Sequence, residues 1–302
     1  MSVKLNPKVI AIVGPTASGK TSLSIELAKQ FNGEVISADS RQVYHGMDLG
    51  TGKVTTDEMQ GIPHHLIDVV EPTTVYTGAD FKRDAEVALK DIVARGKLPI
   101  IAGGTFFYLE LLRGSMSVAP VPPDTELRAM LETKSTAELQ RQLVATDITR
   151  SAKIDINNRR RLIRAIEIIH TLGMIPPVEP TTSPYDWLTI GIDIPANILA
   201  ERIHERIIQR IDQGMIEEVA TLHQEGVTWE QLDSFGLEYR YISRHLQGTM
   251  SKETMIEELS TKTRQFAKRQ RTWLKRDKSI IWLHFPVTLE SVQLTLQEFL
   301  TN

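Results

Sequence analysis

Short, mostly apolar runs alternate along the chain with segments whose apolar residues recur every three to four positions. The runs at 9–13, 34–38, 98–102, 187–194 and 280–283 read as buried strands, and 64–68 as a shorter one. The segment 78–94 places Phe81, Ala85, Ala88, Leu89 and Ile92 on one helical face. Helical spacing also fits 22–31, 106–112, 196–213, 215–225, 238–246, 252–276 and 289–300. Strand and helix in alternation argue for a parallel sheet covered by helices. Past Gly114 the texture changes: Pro120, Pro122 and Pro123 break the pattern, and Gly173, Pro176, Pro177, Pro180 and Pro184 break it again. Between them Asp124 caps a helix to 131, Ser135 or Thr136 caps one to 144, and Asn157-Asn158 precede one over 159–171. The expected organisation is an α/β core over 1–114 and 185–302 with a helical insertion over 115–184.

Composition narrows the chemistry. The chain has 302 residues and no cysteine, which excludes disulfides, thiolate zinc sites and a cysteine nucleophile. No apolar run reaches the roughly 18 residues a membrane span needs, and the polar N-terminus does not read as a signal peptide. A cytoplasmic protein without membrane association is expected. The formal net charge of −3 announces no polyanion partner globally, so any such surface must be local.

The run 9–13 leads into Gly14-Pro15-Thr16-Ala17-Ser18-Gly19-Lys20-Thr21, and a helix follows. Strand, glycine loop and helix make this a P-loop: backbone N–H groups converge on one anion, Lys20 adds a mobile cation, and the Thr21 hydroxyl is placed for Mg²⁺. The fold class is thus a P-loop parallel sheet flanked by helices, with a helical insertion domain. The loop identifies an anion and leaves the reaction open. Asp39, after the second strand, reads either as a turn cap or water-mediated Mg²⁺ holder, or as a general base beside bound phosphates. The strand 98–102 ends in Gly103-Gly104-Thr105 where a P-loop hydrolase carries an acid, leaving Asp68 as a fallback. Arg160 and Arg164 share a face, and Arg264, Lys268, Arg271 and Lys275 step by four, three and four into one cationic stripe. From 262 to 278 eight basic residues meet one acid, Asp277. Such faces are either solvated or bound to a polyanion, and the scarcity of acids favours the polyanion. Arg202, Arg206 and Arg210 repeat at i+4, for salt bridging or for an arginine clamp on a diphosphate. His64-His65 reads as structural, and Phe266 and Trp273 as core.

Together these motifs resemble the tRNA dimethylallyltransferases (tRNA isopentenyltransferases) over nearly the whole chain. The resemblance is carried by Gly14–Thr21, Ser37-Ala-Asp-Ser-Arg-Gln-Val-Tyr44, Pro63-His-His-Leu-Ile-Asp68, Gly96-Lys-Leu-Pro-Ile-Ile-Ala-Gly-Gly-Thr105 and Thr263-Arg-Gln-Phe-Ala-Lys-Arg-Gln-Arg-Thr-Trp-Leu-Lys275. It implies transfer of a dimethylallyl group from dimethylallyl diphosphate to N6 of the adenosine 3′ of the anticodon, within the anticodon stem-loop of a tRNA. The P-loop, Gly14 to Thr21, would then hold a diphosphate, Thr21 would ligate Mg²⁺, Asp39 would be the base, and Lys20, Thr105 and Arg202 would complete the catalytic set. Asp39, Ser40, Arg41, Gln42, Thr105, Arg128, Arg160, Arg161, Leu162, Ile163, Arg164, Gly236 and Arg240 would contact the RNA, and the enzyme would act as a monomer. The chain departs from the family pattern at Ala196, where an arginine is common; at Gly50-Thr-Gly-Lys53, where Gly-Thr-Ala-Lys is usual; and at Phe235-Gly-Leu-Glu-Tyr-Arg240. The rival readings are an adenylate isopentenyltransferase, a P-loop small-molecule kinase and a non-catalytic nucleic-acid-binding P-loop protein. The two rival enzymes have no need of the arginine-rich insertion, and the last leaves Asp39 and Thr105 idle.

Overall fold

The computed structural model of the protein describes residues 6–146, 154–177 and 180–301. Two compact units are present, one formed by Met1–Arg113 with Thr182–Asn302, the other by Gly114–Thr181.

The larger unit is built on one six-stranded sheet. β1 (Lys8–Val13) lies between β4 (Leu98–Gly103) and β5 (Asp186–Asp193). β2 (Gly33–Ser37) and β3 (His64–His65) extend the β4 side, and β6 (Ile281–His284) extends the β5 side. The order is β3-β2-β4-β1-β5-β6, and every pairing is parallel. Parallel register with Ile12 opposite Ala102 and Ile190 brings the C-terminal ends of β1, β4 and β5 to one edge, where open α/β sheets bind ligands.

Alternation along β1 divides the core. Ile10 and Ile12 face α1 (Lys20–Gln30) and α13 (Leu289–Thr301), packing with Leu23, Leu27, Val292 and Leu296. Val9 faces α3 (Gly78–Ala94) and α4 (Phe106–Arg113), with Phe81, Leu89 and Leu112. Beyond β5 the chain forms α8 (Ala196–Asp212), α9 (Met215–Gln224), α10 (Trp229–Phe235), α11 (Leu237–Leu246) and α12 (Lys252–Leu274). Their apolar stripes meet in one cluster through Ile203, Ile207, Met215, Val219, Tyr239, Ile242 and Leu259.

In the smaller unit α5 (Thr125–Glu132), α6 (Thr136–Thr146) and α7 (Arg159–Leu172) pack Leu127, Leu131, Leu139, Leu143, Leu162 and Ile166 into a separate core. Asp124 and Asn158 cap α5 and α7 by accepting from Leu127 and Arg161 N–H. Such a cap is worth about 1 kcal/mol. The ends of the unit meet where Thr181 N–H donates to Gly114 O at 2.9 Å. Gly114 has φ +78°, and a Cβ there would lie 2.2 Å from Thr181 O. A side chain would open that junction.

Three local expectations are corrected. The strand over 64–68 stops at His65, because Leu66 and Asp68 take φ of 62° and 52° and leave the extended region. Two short helices, α2 (Thr56–Met59) and α10, stand in stretches where the hydrophobic pattern predicts no helix. Both are nucleated by capping boxes, Thr55 with Glu58 and Thr228 with Gln231, a polar signature that apolar periodicity does not register. Phe266 is exposed rather than core, on the solvent side of α12, with the Arg269 guanidinium 5.8 Å from its ring centroid.

Candidate active site

The loop after β1 is shaped by backbone conformations few residues tolerate. Gly19, at the N-cap of α1, has φ +94°, and Ala17 has φ +62°. A Cβ on Gly14 would fall 2.8 Å from Ser18 Oγ. A non-glycine residue in the left-handed region is uncommon and costs strain. The loop leads into the start of α1, where free backbone N–H groups and the helix dipole favour an anion.

The charges around this point are arranged unlike a structural ion pair. Lys20 Nζ donates to Pro15 O at 2.7 Å. Burial and the nearby charge of Arg206 pull Lys20 down to about 8, against the opposing pull of Asp39. Arg206, reaching over from α8, donates Nη2–H to Thr16 Oγ1. Burial and Arg210 lower it to about 10, with Glu238 and Asp39 acting the other way. Neither Lys20 nor Arg206 forms an ion pair with a carboxylate among the described residues. Two enclosed cations with too few acceptors make a site that gains from an anion.

The structure places two of the α8 arginines differently. Arg202 lays its guanidinium over the Phe285 ring, 4.5 Å from the centroid, and Arg206 is the arginine that touches the loop. Residues four apart share a helix face, so the spacing gave no means of telling which turn meets the loop.

Asp39 leaves β2 toward the same edge. Its Oδ1 accepts Arg41 N–H at 2.9 Å, so the carboxylate caps the turn and still feels Lys20 and Arg206. Thr105 closes the turn from β4: its N–H donates to Ala38 O, and its Oγ1 accepts Ser40 N–H at 3.2 Å. Gly103 is bare because a Cβ would lie 2.2 Å from Ala38 O. Gln42 is engaged internally, accepting from Ser37 Oγ and donating to Gly52 O. Arg41 donates to Ser234 O at 3.1 Å and lies over Phe235.

Gln270 on α12 is a site residue that sequence patterning missed. Its Oε1 accepts Thr16 N–H at 3.0 Å, and its Nε2 donates to Gly104 O at 3.1 Å. A Cβ on Gly104 would fall 2.7 Å from that Nε2. One amide thus fastens the P-loop to the end of β4. Its position within the Thr263–Lys275 motif was the available signal, but only the tertiary structure shows what it holds.

The basic faces also resolve unevenly. The stripe on α12 is not continuous: Arg271 and Lys275 pair with Asp193 at 2.7 and 3.3 Å, while Arg264 and Lys268 form no ion pair among the described residues. Asp68, the fallback acid, pairs with Lys53 and lies near His45, away from the P-loop contacts above. Arg240 is tied to Asp233 at 3.0 Å, and Gly236 forms the junction of α10 and α11. In the smaller unit Arg128 and Arg164 both bond Glu167, whose carboxylate is fully buried. Leu162 and Ile163 are core side chains there, so as side-chain RNA contacts these two are corrected by burial. Arg160 and Arg161 are exposed, and their guanidinium groups have no partner among the described residues.

No cluster of three or more His, Asp or Glu fit to hold a metal occurs among the described residues. Thr21 is exposed at the start of α1, and its hydroxyl makes no hydrogen bond within the protein among the described residues. That suits a Mg²⁺ held by one protein oxygen, water and phosphate better than an all-protein cage. No described helix is long and apolar enough to cross a membrane.

Comparison with known proteins was consistent across three measures. Residues 42–277 match the model of the IPP transferase family. The chain is 43% identical to the tRNA dimethylallyltransferase of Thermomicrobium roseum, covering 91% of this chain and 85% of that one. It is 45% identical to tRNA dimethylallyltransferase 2 of Treponema denticola, over 88% and 91%. Among solved structures, the tRNA delta(2)-isopentenylpyrophosphate transferase of Staphylococcus epidermidis superposes with a TM-score of 0.71 at 37% identity, over 98% of this chain and 100% of that one. A eukaryotic dimethylallyltransferase acting on tRNA gives 0.82 at 28% identity, over 98% and 80%.

Proposed function

The chain belongs to the IPP transferase family, and from that premise we propose that it transfers a dimethylallyl group from dimethylallyl diphosphate to N6 of an adenosine next to the anticodon of tRNA. The observation that carries this reading is the pairing of an incomplete cationic pocket with a carboxylate that no cation neutralises. Lys20 and Arg206 stand at the P-loop, and Asp39 lies within range of both without an ion pair to either. A hydrolase would be expected to carry an acid after β4, but Gly103-Gly104 is there instead.

In the proposed reaction the P-loop N–H groups, Lys20 and Arg206 bind the diphosphate. The carbon–oxygen bond between the dimethylallyl C1 and the diphosphate breaks, and its electron pair leaves on the diphosphate. Lys20 and Arg206 stabilise that growing charge, where one well-placed donor is worth about 10²–10³ in rate. The adenosine N6 forms the new bond to C1, and its proton passes to Asp39. Thr105 and Gln270 are positioning residues: the first fixes the turn carrying Asp39, the second fixes the P-loop against β4. Mg²⁺, when bound at Thr21, neutralises diphosphate charge. The target base must leave the anticodon-loop stack to reach this edge. Single-stranded loops offer their base edges and backbone to such a site. Arg160 and Arg161 supply cations for RNA phosphates from the smaller unit.

Incubation with dimethylallyl diphosphate, Mg²⁺ and unmodified tRNA, followed by nucleoside analysis, tests the reading. N6-dimethylallyladenosine is the expected product. Phosphate transfer from ATP without that product would make the protein a kinase, and prenylation of free AMP in preference to tRNA would make it an adenylate enzyme.

A further inference from the structure

Arg210 lies one turn beyond Arg206 on the same face of α8. Its guanidinium stands directly on Gly52. A Cβ built there would fall 1.7 Å from Nη2, 2.6 Å from Cζ and 3.0 Å from Nη1, its three nearest atoms. Gly52 has φ +65°, which favours glycine, and the Arg210 guanidinium stands where a methyl group would lie. Both features suit glycine at a position where the resemblance leads one to expect alanine.

The loop does not need Arg210 to hold it. Gln42 Nε2 donates to Gly52 O, and Lys53 bonds Tyr44 O, Asp48 and Asp68. Glu218 accepts the N–H groups of Asp48, Leu49 and Gly50 and the Tyr239 hydroxyl. Arg210, in contrast, is partly buried and donates no hydrogen bond to any described residue. Glu238, Glu218 and Glu58 lie near enough to favour its charge, but the oxygens of Glu218 are already taken by the loop. A guanidinium carries five donors in a planar fork, and those of Arg210 are unpaired among the described residues and open to an incoming acceptor. Such an arrangement is completed by an anion. One helical turn is about 5.4 Å, which lets two guanidinium groups share a two-phosphate anion.

We infer that Arg210, given room by the bare Gly52, is a third cation of the donor site, binding the outer phosphate of the diphosphate whose inner phosphate meets Lys20 and Arg206. The inference rests on the diphosphate reading above and extends it to a residue and a loop glycine outside the P-loop.

Calorimetric titration of the full-length protein with inorganic pyrophosphate and Mg²⁺ tests it. Arg210→Met and Gly52→Ala should each weaken binding about tenfold, the worth of one charge-assisted contact. The double variant should be no weaker than either single one, since both remove the same contact. Arg210→Lys should recover part of the loss, and tRNA affinity should stay within about twofold throughout. Unchanged pyrophosphate binding in Arg210→Met with a lowered melting temperature would make Arg210 a space filler and overturn the inference. Weakened tRNA binding with pyrophosphate unaffected would assign it to an RNA phosphodiester and overturn it as well. Lys20→Met separates the two levels: loss there but not in Arg210→Met defeats only this inference, whereas binding retained in Lys20→Met defeats the diphosphate reading beneath it.

Discussion

The two ends of β2 treat charge in opposite ways. At its start Glu34 is almost fully buried, and its carboxylate accepts from Arg95, Lys97 and His65. The Arg95 hydrogen bond, opposed by burial and joined by Lys97 and His65, holds its carboxyl well below the usual range. Beyond its end lie Asp39, Lys20, Arg206 and Arg210: Arg206 and Asp39 act on Lys20, Arg210 and Asp39 act on Arg206, and no ion pair joins the four among the described residues. The first cluster is complete within the protein and serves the fold. The second has no complement among the described residues, and the proposed diphosphate would supply it. Glu167 with Arg128 and Arg164 follows the Glu34 pattern, and Arg160 with Arg161 the open one. In this chain the useful distinction between structural and functional charges is therefore whether the protein supplies the partner, not whether the charge is buried.

Substitutions at the open end should change chemistry, and those at the closed end stability. The largest effect is expected from Asp39→Ala, which should lower single-turnover rate by about 10³ if the carboxylate takes the N6 proton. Gel-shift affinity for tRNA should change far less, and equal loss of both would reduce Asp39 to a turn cap. Glu34→Gln should next cost about 3 kcal/mol of unfolding free energy in urea, because it strands cations around a buried acceptor. The sign of its pH dependence follows from the lowered carboxyl. The stability Glu34 contributes is full above its unfolded value of about 4.3 and is lost as pH falls toward the folded value. The glutamine variant should lose that acid-side slope while its pyrophosphate affinity stays unchanged.

A smaller, pH-dependent effect should appear at Lys20. With its free-state value near 8, the protonated form that binds a diphosphate is depleted above that pH. KM for the donor should be flat below about pH 7.5 and rise by up to about tenfold per pH unit above 8. The rise should vanish in Lys20→Met. The smallest effect is expected in the insertion, where Arg160→Ala with Arg161→Ala should weaken tRNA binding several-fold and lower its salt slope by about 1–2. Arg128→Ala, by contrast, should lower the melting temperature of the insertion, since Arg128 neutralises Glu167.

Sequence alone determined most of the architecture. The strands buried on both faces, the P-loop between β1 and α1, the proline-bounded helical segment and the capped starts of α5 and α7 follow from apolar period, glycine conformation and side-chain caps. All of these are local, and neighbouring residues suffice to impose them. The placement of Asp39 and Thr105 near the P-loop was legible too, since parallel strands place their C-terminal ends on one edge. The rest depended on which distant side chain arrives. Arg202, Arg206 and Arg210 are equivalent by spacing, and only the packing of α8 puts Arg206 on Thr16 and Arg210 on Gly52. The cationic stripe of α12 looked continuous until Asp193, from β5, took Arg271 and Lys275. Gln270 lay within a recognisable motif but its role was hidden, because an amide bridging Thr16 and Gly104 depends on two chain segments more than 160 residues away. Charge is the property a sequence lists most plainly and localises least. Its range exceeds a helical turn, and whether it is neutralised depends on partners brought near by the whole fold.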